Sequence, residues 1–470
     1  MKRKGLRQLL FDREFFKLML PLALPIAAQN LLSTSFRLVD TLMIGRLGDI
    51  SIAAVGLAGY VSFFVELLTF GVASGSAVFL SQYHGAGNRK GILRVFGVLL
   101  TFVVPIGVLF TIITFLFPTG VMQVFTDDPA LIAEGARYLK YACFSYAAVT
   151  LNLSLTNVLR STENVKIPMW TSGICAAANA VLNYLFIFGG LGIAPMGVAG
   201  AGLATAISST LSPVLILTIS VIQRNVLIAP LRDIFRIRGF VREFWSRALP
   251  VLLNEGLWSL SIIGINMVFG RMGADNYAAL TVVRTVENIV FVVFVGLCNA
   301  CNIMVGKAIG ARQIELGKRY ACQFMLLVPV FGIFLGTVVA LLRAPVIGLF
   351  DISASAAYTA RVMLLIYSVD ITLRNIPYMG VVGIFRAGGD TKYGLFCDML
   401  VQYVVDLPVV YVLGFVLKSS FLATYAIMVL AEDVVKFSLT LPHFLRMKWI
   451  MPVRQDEVLA DAEAIAAKEE

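Results

Sequence analysis

ALPIAAQNLLSTSFRLVDTLMIGRLGD, residues 23–49, returns 225 positions later as ALPVLLNEGLWSLSIIGINMVFGRMGA, residues 248–274. The match needs no gap and runs on until Gly85-Ala86 falls on Gly310-Ala311. Within it Gly45-Arg46-Leu47-Gly48 meets Gly270-Arg271-Met272-Gly273, Ala53-Ala54 meets Ala278-Ala279, and Gly71 meets Gly296. Both copies are strongly apolar. Self-similarity at a fixed offset marks a repeated structural unit. A repeat this long and this apolar marks a duplicated bundle of membrane helices, the plan of secondary transporters whose substrate path runs between the halves.

Composition agrees. Of 470 residues, 59% are hydrophobic and 14% charged, and the mean hydropathy is +0.86. Soluble domains carry about 25% charged residues, so a water-soluble fold is excluded. Crossing the hydrocarbon core takes about 20 apolar residues of helix. Twelve such stretches are predicted, near 15–36, 53–79, 94–117, 135–157, 167–189, 197–222, 243–266, 278–304, 319–342, 357–380, 393–416 and 421–445. Runs of this length exclude a β-barrel, whose strands alternate over about ten residues. The expected fold is an all-α integral membrane protein of twelve transmembrane helices, in two six-helix lobes. Six spans return the chain to its starting side, so the halves run in the same sense, related by a pseudo-two-fold along the membrane normal. The expected domains are an N-lobe (1–223), a basic linker (224–247) with a short interfacial helix, a C-lobe (248–448) and a tail (449–470). Lys2-Arg3-Lys4 before an apolar run imitates a signal peptide. The same segment recurs at 248, where no signal peptide can stand, so the mature chain is expected to keep Met1.

The net charge is +10. Nucleic-acid binding would need the charges gathered on one folded face. Here they sort by loop. With the N-terminus placed inside, inner segments carry 27 of the 38 Lys and Arg, outer segments seven, and four lie within spans. That bias predicts a multi-pass protein of the plasma (inner) membrane with both termini cytoplasmic, partnered by lipid and not by nucleic acid. The six cysteines all fall inside predicted helices. Cys298-x-x-Cys301 has redox spacing but no companion ligand, so it is read as helix packing.

Several phrases resemble the multidrug and toxic compound extrusion (MATE) family, bacterial type. They are Val39-Asp40-Thr41 through Gly48, Gly296 through Gly310-Ala311, Arg386-Ala387-Gly388-Gly389-Asp390-Thr391, and Gly197 through Thr205. The resemblance covers about 15–450. It implies two six-helix lobes around a cleft, and export of organic, often cationic, compounds in exchange for Na+ or H+, working as a monomer. It is not an enzyme family, and no cofactor is implied beyond the coupling ion. By resemblance, Asp40 matches the first-helix acid of the N-lobe, and Asn179 and Asn183 its helix-5 companions. Glu255 and Asp370 resemble the helix-7 and helix-10 acids of sodium-coupled members, so a possible Na+ is expected near them.

Charges within the membrane are costly, about 2.5–3.5 kcal/mol at mid-bilayer, and ask for a reason. Spacing suggests local pairs: Arg37 with Asp40, Arg284 with Glu287, Asp370 with Arg374, and Glu432/Asp433 with Lys436. Glu66, Glu255, Asp398 and Asp406 have no basic neighbour one turn away. Such a carboxylate must take a proton, a cation, or a partner on another helix. The repeat sharpens this. Asp40 falls opposite Ile265, Glu255 opposite Asn30 and Glu66 opposite Phe291, so the two lobes have different polar tasks. Tyr60, Tyr146, Tyr184 and Tyr367 are candidates to stack on organic cations. The rival readings are a lipid-linked oligosaccharide flippase, which would use Arg37, Arg284 and Arg374 on diphosphate, and a membrane enzyme, for which no catalytic set lies at membrane depth.

Overall fold

The computed structural model describes residues 12–350 and 352–453. Twelve long helical segments follow one another: α1 Arg13–Gly45, α2 Asp49–Gly85, α3 Arg89–Leu116, α4 Pro129–Ala142 with Phe144–Ser161, α5 Lys166–Phe188, α6 Val198–Gln223, α7 Phe240–Gly270, α8 Ala274–Gly310, α9 Ile314–Ile347, α10 Ala354–Gly388, α11 Thr391–Val416 and α12 Phe421–Leu445. Ten are long and apolar enough to cross a membrane unaided, and the bent pair of α4 makes eleven. The twelfth, α12, carries Glu432, Asp433 and Lys436 in its interior. Every predicted span has its helix. The helices run further than predicted, because polar residues ended the apolar reading early. Arg37 and Asp40 thus lie inside α1.

The breaks have local causes. Pro105 lacks an N–H, and α3 divides just ahead of it at Val103. The halves of α4 meet at 48° around Cys143. There Thr111 of α3 donates to the Cys143 carbonyl at 2.8 Å, and the same carbonyl accepts the Tyr146 N–H in a tightened turn. Near Pro377 and Pro408 the helices widen into π-turns at Met379–Phe385, Val401–Asp406 and Val412–Val416. Starts are capped: Ser353 accepts from the Ala356 N–H and Ser420 from the Ala423 N–H.

The chain divides into two compact units. One takes the chain up to Ala23, Ser81–Asn88 and everything from Leu253; the other takes Leu24–Leu80 and Arg89–Leu252. The divisions fall inside α1, α2 and α7, so the first helix of each half belongs to both units. In the first unit, Phe15 packs edge-on against Phe324 at 5.0 Å. Asp12, just ahead of α1, accepts from Arg319 and Gln323. Burial alone would raise its pKa; Gln323 and Arg319 hold it below the usual carboxylate value. In the second unit, the start of α7 lies on α2. The Phe79 and Phe244 rings stack at 5.7 Å. A Cβ on Gly75 would come within 2.6 Å of the Ala248 Cα, so only glycine permits the approach.

The repeat appears as one symmetric crossing in the first unit. A Cβ on Gly85 would lie 2.0 Å from the Lys307 carbonyl oxygen, and one on Gly310 would lie 1.9 Å from that of Gln82. Gln82 and Lys307 are themselves repeat mates, as are Gly85 and Gly310. The linker forms one short helix, Leu231–Ile234. After α12, Trp449 is fully buried, Met451 donates to the Gly388 carbonyl and Val453 to Gln82 Oε1, both at 2.8 Å. The first residues of the expected tail are therefore packed. Its acidic part, from 454, lies outside the described residues.

Candidate functional site

In the Leu24–Leu80 and Arg89–Leu252 unit, α1, α5 and α6 bring a polar line together. Asn183 Nδ2 donates to Asp40 Oδ1 at 2.6 Å and to Asn179 Oδ1 at 3.0 Å. Asn179 Nδ2 donates onward to Ser208 Oγ at 3.0 Å. The spacing Asn179–Asn183 puts both amides on one face of α5, as predicted. Asn183 is 0% exposed, and its Oδ1 receives no donor. Its amide N–H groups are committed, so a buried carbonyl oxygen stands unanswered beside a carboxylate. Tyr138 lies within electrostatic reach of Asp40, with its hydroxyl hydrogen-bonded to Thr205. Ser208, Tyr138 and Thr205 were not expected. Ser208 and Thr205 come from α6, which carries no charge within its span, and Tyr138 carries none itself, so no charge spacing pointed to them.

Arg37 does not serve Asp40. Its guanidinium reaches across to Glu66 on α2 at 3.1 and 3.3 Å. The expected local pair is thereby corrected, and Glu66 is not alone. The reason is geometric: a long side chain reaches a neighbouring helix as easily as the next turn of its own. A separate cation, Arg160 at the end of the fourth span, donates from Nε and Nη2 to Gln29 Oε1 at 3.2 and 2.6 Å. Gln29 in turn donates to Ser172 at 2.8 Å. Here a neutral amide, not a carboxylate, holds a guanidinium.

The unit from Leu253 answers its charges differently. Glu255, expected to be alone, pairs with Arg386 at 2.7 Å. Arg386 was expected in a loop but is 5% exposed. Its place behind the apolar run Met379–Phe385 was the available signal. Asp398, also expected alone, binds Lys436 at 2.7 Å and Asn254 at 2.8 Å. Lys436 therefore serves Asp398 on another helix and is not spent only on its α12 neighbours. Glu287 accepts from Tyr425 at 3.2 Å and lies near Arg374, not in a bond to Arg284. Asp370 does sit beside Arg374, with Glu432, Asp433 and Tyr367 around it. Asp370 lies against the Asp433 carboxyl, neither oxygen of Asp406 has a hydrogen-bond partner, and both residues are buried. Glu255 and Asp370 thus have different basic neighbours. Among the described residues, no group of three or more His, Cys, Asp or Glu is placed to hold a metal ion. Tyr146 is buried in the packing of its unit, Tyr60 stacks on Phe125 at 5.8 Å, and Tyr184 lies tilted against Phe188.

Twelve helices from a duplicated sequence, with carboxylates set inside the spans, define a polytopic membrane transporter. The MatE family model matches residues 25–185 and 250–412, the two copies in turn. The chain belongs to that family, the multidrug and toxic compound extrusion transporters. Among curated relatives, the probable multidrug resistance protein YoeA of Bacillus subtilis (strain 168) is 25% identical over 413 residues, 85% of this chain and 87% of that one. The probable multidrug resistance protein NorM of Thermotoga maritima is 24% identical over 452 residues, 93% of each chain. Solved structures share the fold. A multidrug resistance MATE transporter in an outward-facing conformation superposes with a TM-score of 0.82 at 20% identity, covering 95% of this chain and 99% of that one. A transporter of the wider superfamily from Pyrococcus furiosus, described as having a binding pocket of reversed polarity, gives 0.81 at 20% identity, covering 95% and 98%.

Proposed function

We propose that this protein is an antiporter that exports organic, often cationic, compounds across the plasma membrane in exchange for Na+ or H+. One observation carries the reading: Asp40 is met by the amide of Asn183, not by Arg37. Its negative charge is therefore available to a cation. The unanswered Oδ1 of Asn183 adds a second oxygen, and carboxylate and carbonyl oxygens are the ligands hard cations prefer. A proton or Na+ and an organic cation would compete for this place, which is what exchange requires. The names of relatives in Bacillus subtilis and Thermotoga maritima, probable multidrug resistance proteins, favour drug export. Asp370, buried beside the Asp433 carboxyl, and Asp406, buried without a hydrogen-bond partner, supply further candidate positions for the coupling ion. At Glu255 the guanidinium of Arg386 competes with Na+.

A second reading has one observation behind it. Arg160, whose one side-chain partner among the described residues is Gln29, suits an anionic cargo such as a lipid-linked diphosphate, which a flippase would carry. Proteoliposomes separate the two. Sodium and proton gradients are imposed one at a time, and efflux of a fluorescent organic cation is followed. The parent protein should respond to at least one gradient. Asp40→Asn, which keeps the hydrogen bond and removes the charge, should abolish the response while the protein stays folded. No cation efflux under either gradient, or full efflux by the Asn variant, would overturn the assignment.

A further inference from the structure

Outer segments hold only seven of the 38 basic residues, as expected where positive charge is disfavoured outside. Two of those seven, Arg271 and Lys418, line one cavity of about 490 Å3 in the unit that includes everything from Leu253. Its walls are the end of α7, the starts of α8 and α10, the end of α11 and the first turn of α12. None of the residues lining it is acidic. Neither Arg271 nor Lys418 forms an ion pair among the described residues. The Arg271 guanidinium is held 5.9 Å over the Phe415 ring, which fixes its direction without neutralising it. Ser419, Ser420 and Asn276 add hydrogen-bonding groups. Ser420 takes the Ala423 N–H, while the Phe421 and Leu422 N–H groups have no acceptor within α12, a 25-residue helix whose positive dipole end lies at the same place.

Two like charges at a shared cavity repel, and the region selects against positive charge. An anion resolves both. Arginine's planar fork matches phosphate oxygens in pairs, lysine adds a point charge, and hydroxyl and amide groups complete the shell. We propose that this cavity binds a phosphate-bearing anion. Met272 and Phe415 give it an apolar side, which suits the headgroup and first carbons of an anionic phospholipid; a free phosphate compound offers the same oxygens without the carbons.

The test uses the full-length protein in detergent with a zwitterionic phosphatidylcholine background. Short-chain phosphatidylglycerol and, separately, inorganic phosphate are titrated, and the rise in Tm is read. Phosphatidylglycerol should stabilise saturably. R271Q/K418Q should weaken it by about tenfold or more, since a charge-assisted hydrogen bond is worth at least that. S419E puts a carboxylate in the cavity while leaving both basic side chains in place, and should weaken it equally. R236Q/R238Q, in the basic linker, should bind as the parent does. Saturable stabilisation by inorganic phosphate but not by the lipid, with the same dependence on the variants, would keep the site and assign it to a soluble phosphate compound. If neither probe stabilises the parent, or R271Q/K418Q and S419E respond like the parent, the site is refuted.

Discussion

Asp40 and Glu255 both stand on the first helix of their half, and their surroundings divide them. Asp40 accepts from the amide of Asn183; Glu255 faces the guanidinium of Arg386. Removing one partner of a buried pair strands the other, at a cost of roughly 3–5 kcal/mol, whereas removing both can be near neutral. Glu255→Gln alone should therefore lower the Tm of the purified protein clearly. Glu255→Gln with Arg386→Gln should recover most of it. If the double variant is stable but dead in gradient-driven export, the pair also serves transport; if export returns, the pair is structural. A single variant as stable as the parent would contradict the pairing itself. Same-helix spacing anticipated the contact of Asp370 with Arg374, the face shared by Asn179 and Asn183, and the need for partners at Glu66, Glu255 and Asp398. It could not supply those partners, because they come from 29 and 131 positions away for Glu66 and Glu255. Spacing along one helix reports only that helix's own neighbours.

Among the elements, the spans were legible because each must present about 20 apolar residues to lipid, and the repeat was legible because it needs no gap. Their ends and bends were not. The bend of α4 coincides with a hydroxyl of α3 on the Cys143 carbonyl, a tertiary contact with no local mark. What the repeated glycines do becomes clear only at the crossing of α2 and α8, where Gly85 and Gly310 each admit the other helix's backbone. Small residues of this kind let membrane helices approach closely. Gly310→Ala would set a methyl 1.9 Å from the Gln82 carbonyl oxygen, against backbone that must shift. Overpacking of this kind costs about 1–3 kcal/mol. Gly56→Ala adds the same methyl in the interior of α2, where nothing lies within 4 Å. Thermal melts of the two variants should differ, with Gly310→Ala clearly lower than the parent and Gly56→Ala equal to it or higher. Equal melts would show that the crossing tolerates separation.

At the scale of the whole molecule, the charge distribution is a statement about which side is which. With the N-terminus placed inside, inner segments would carry 27 basic residues against seven in outer ones, and an even number of spans returns the chain to its starting side. Moving one positive charge outward against 100 mV, inside negative, costs about 2.3 kcal/mol. Turning the molecule over would place the 20 surplus basic residues on the disfavoured side. The orientation is therefore expected to be uniform, with the linker around Leu231–Ile234 in the cytoplasm and the segment before α4, at Asp127-Asp128, outside. Single cysteines at 127 and 232, in a background with the six native cysteines replaced, read this directly in whole cells. A membrane-impermeant maleimide should label 127 at once and 232 only after permeabilisation. Labelling of 232 from outside with 127 protected would invert the molecule. It would also turn the Arg271 and Lys418 cavity toward the cytoplasm, where positive charge is ordinary and two basic residues at one cavity would no longer call for an anion.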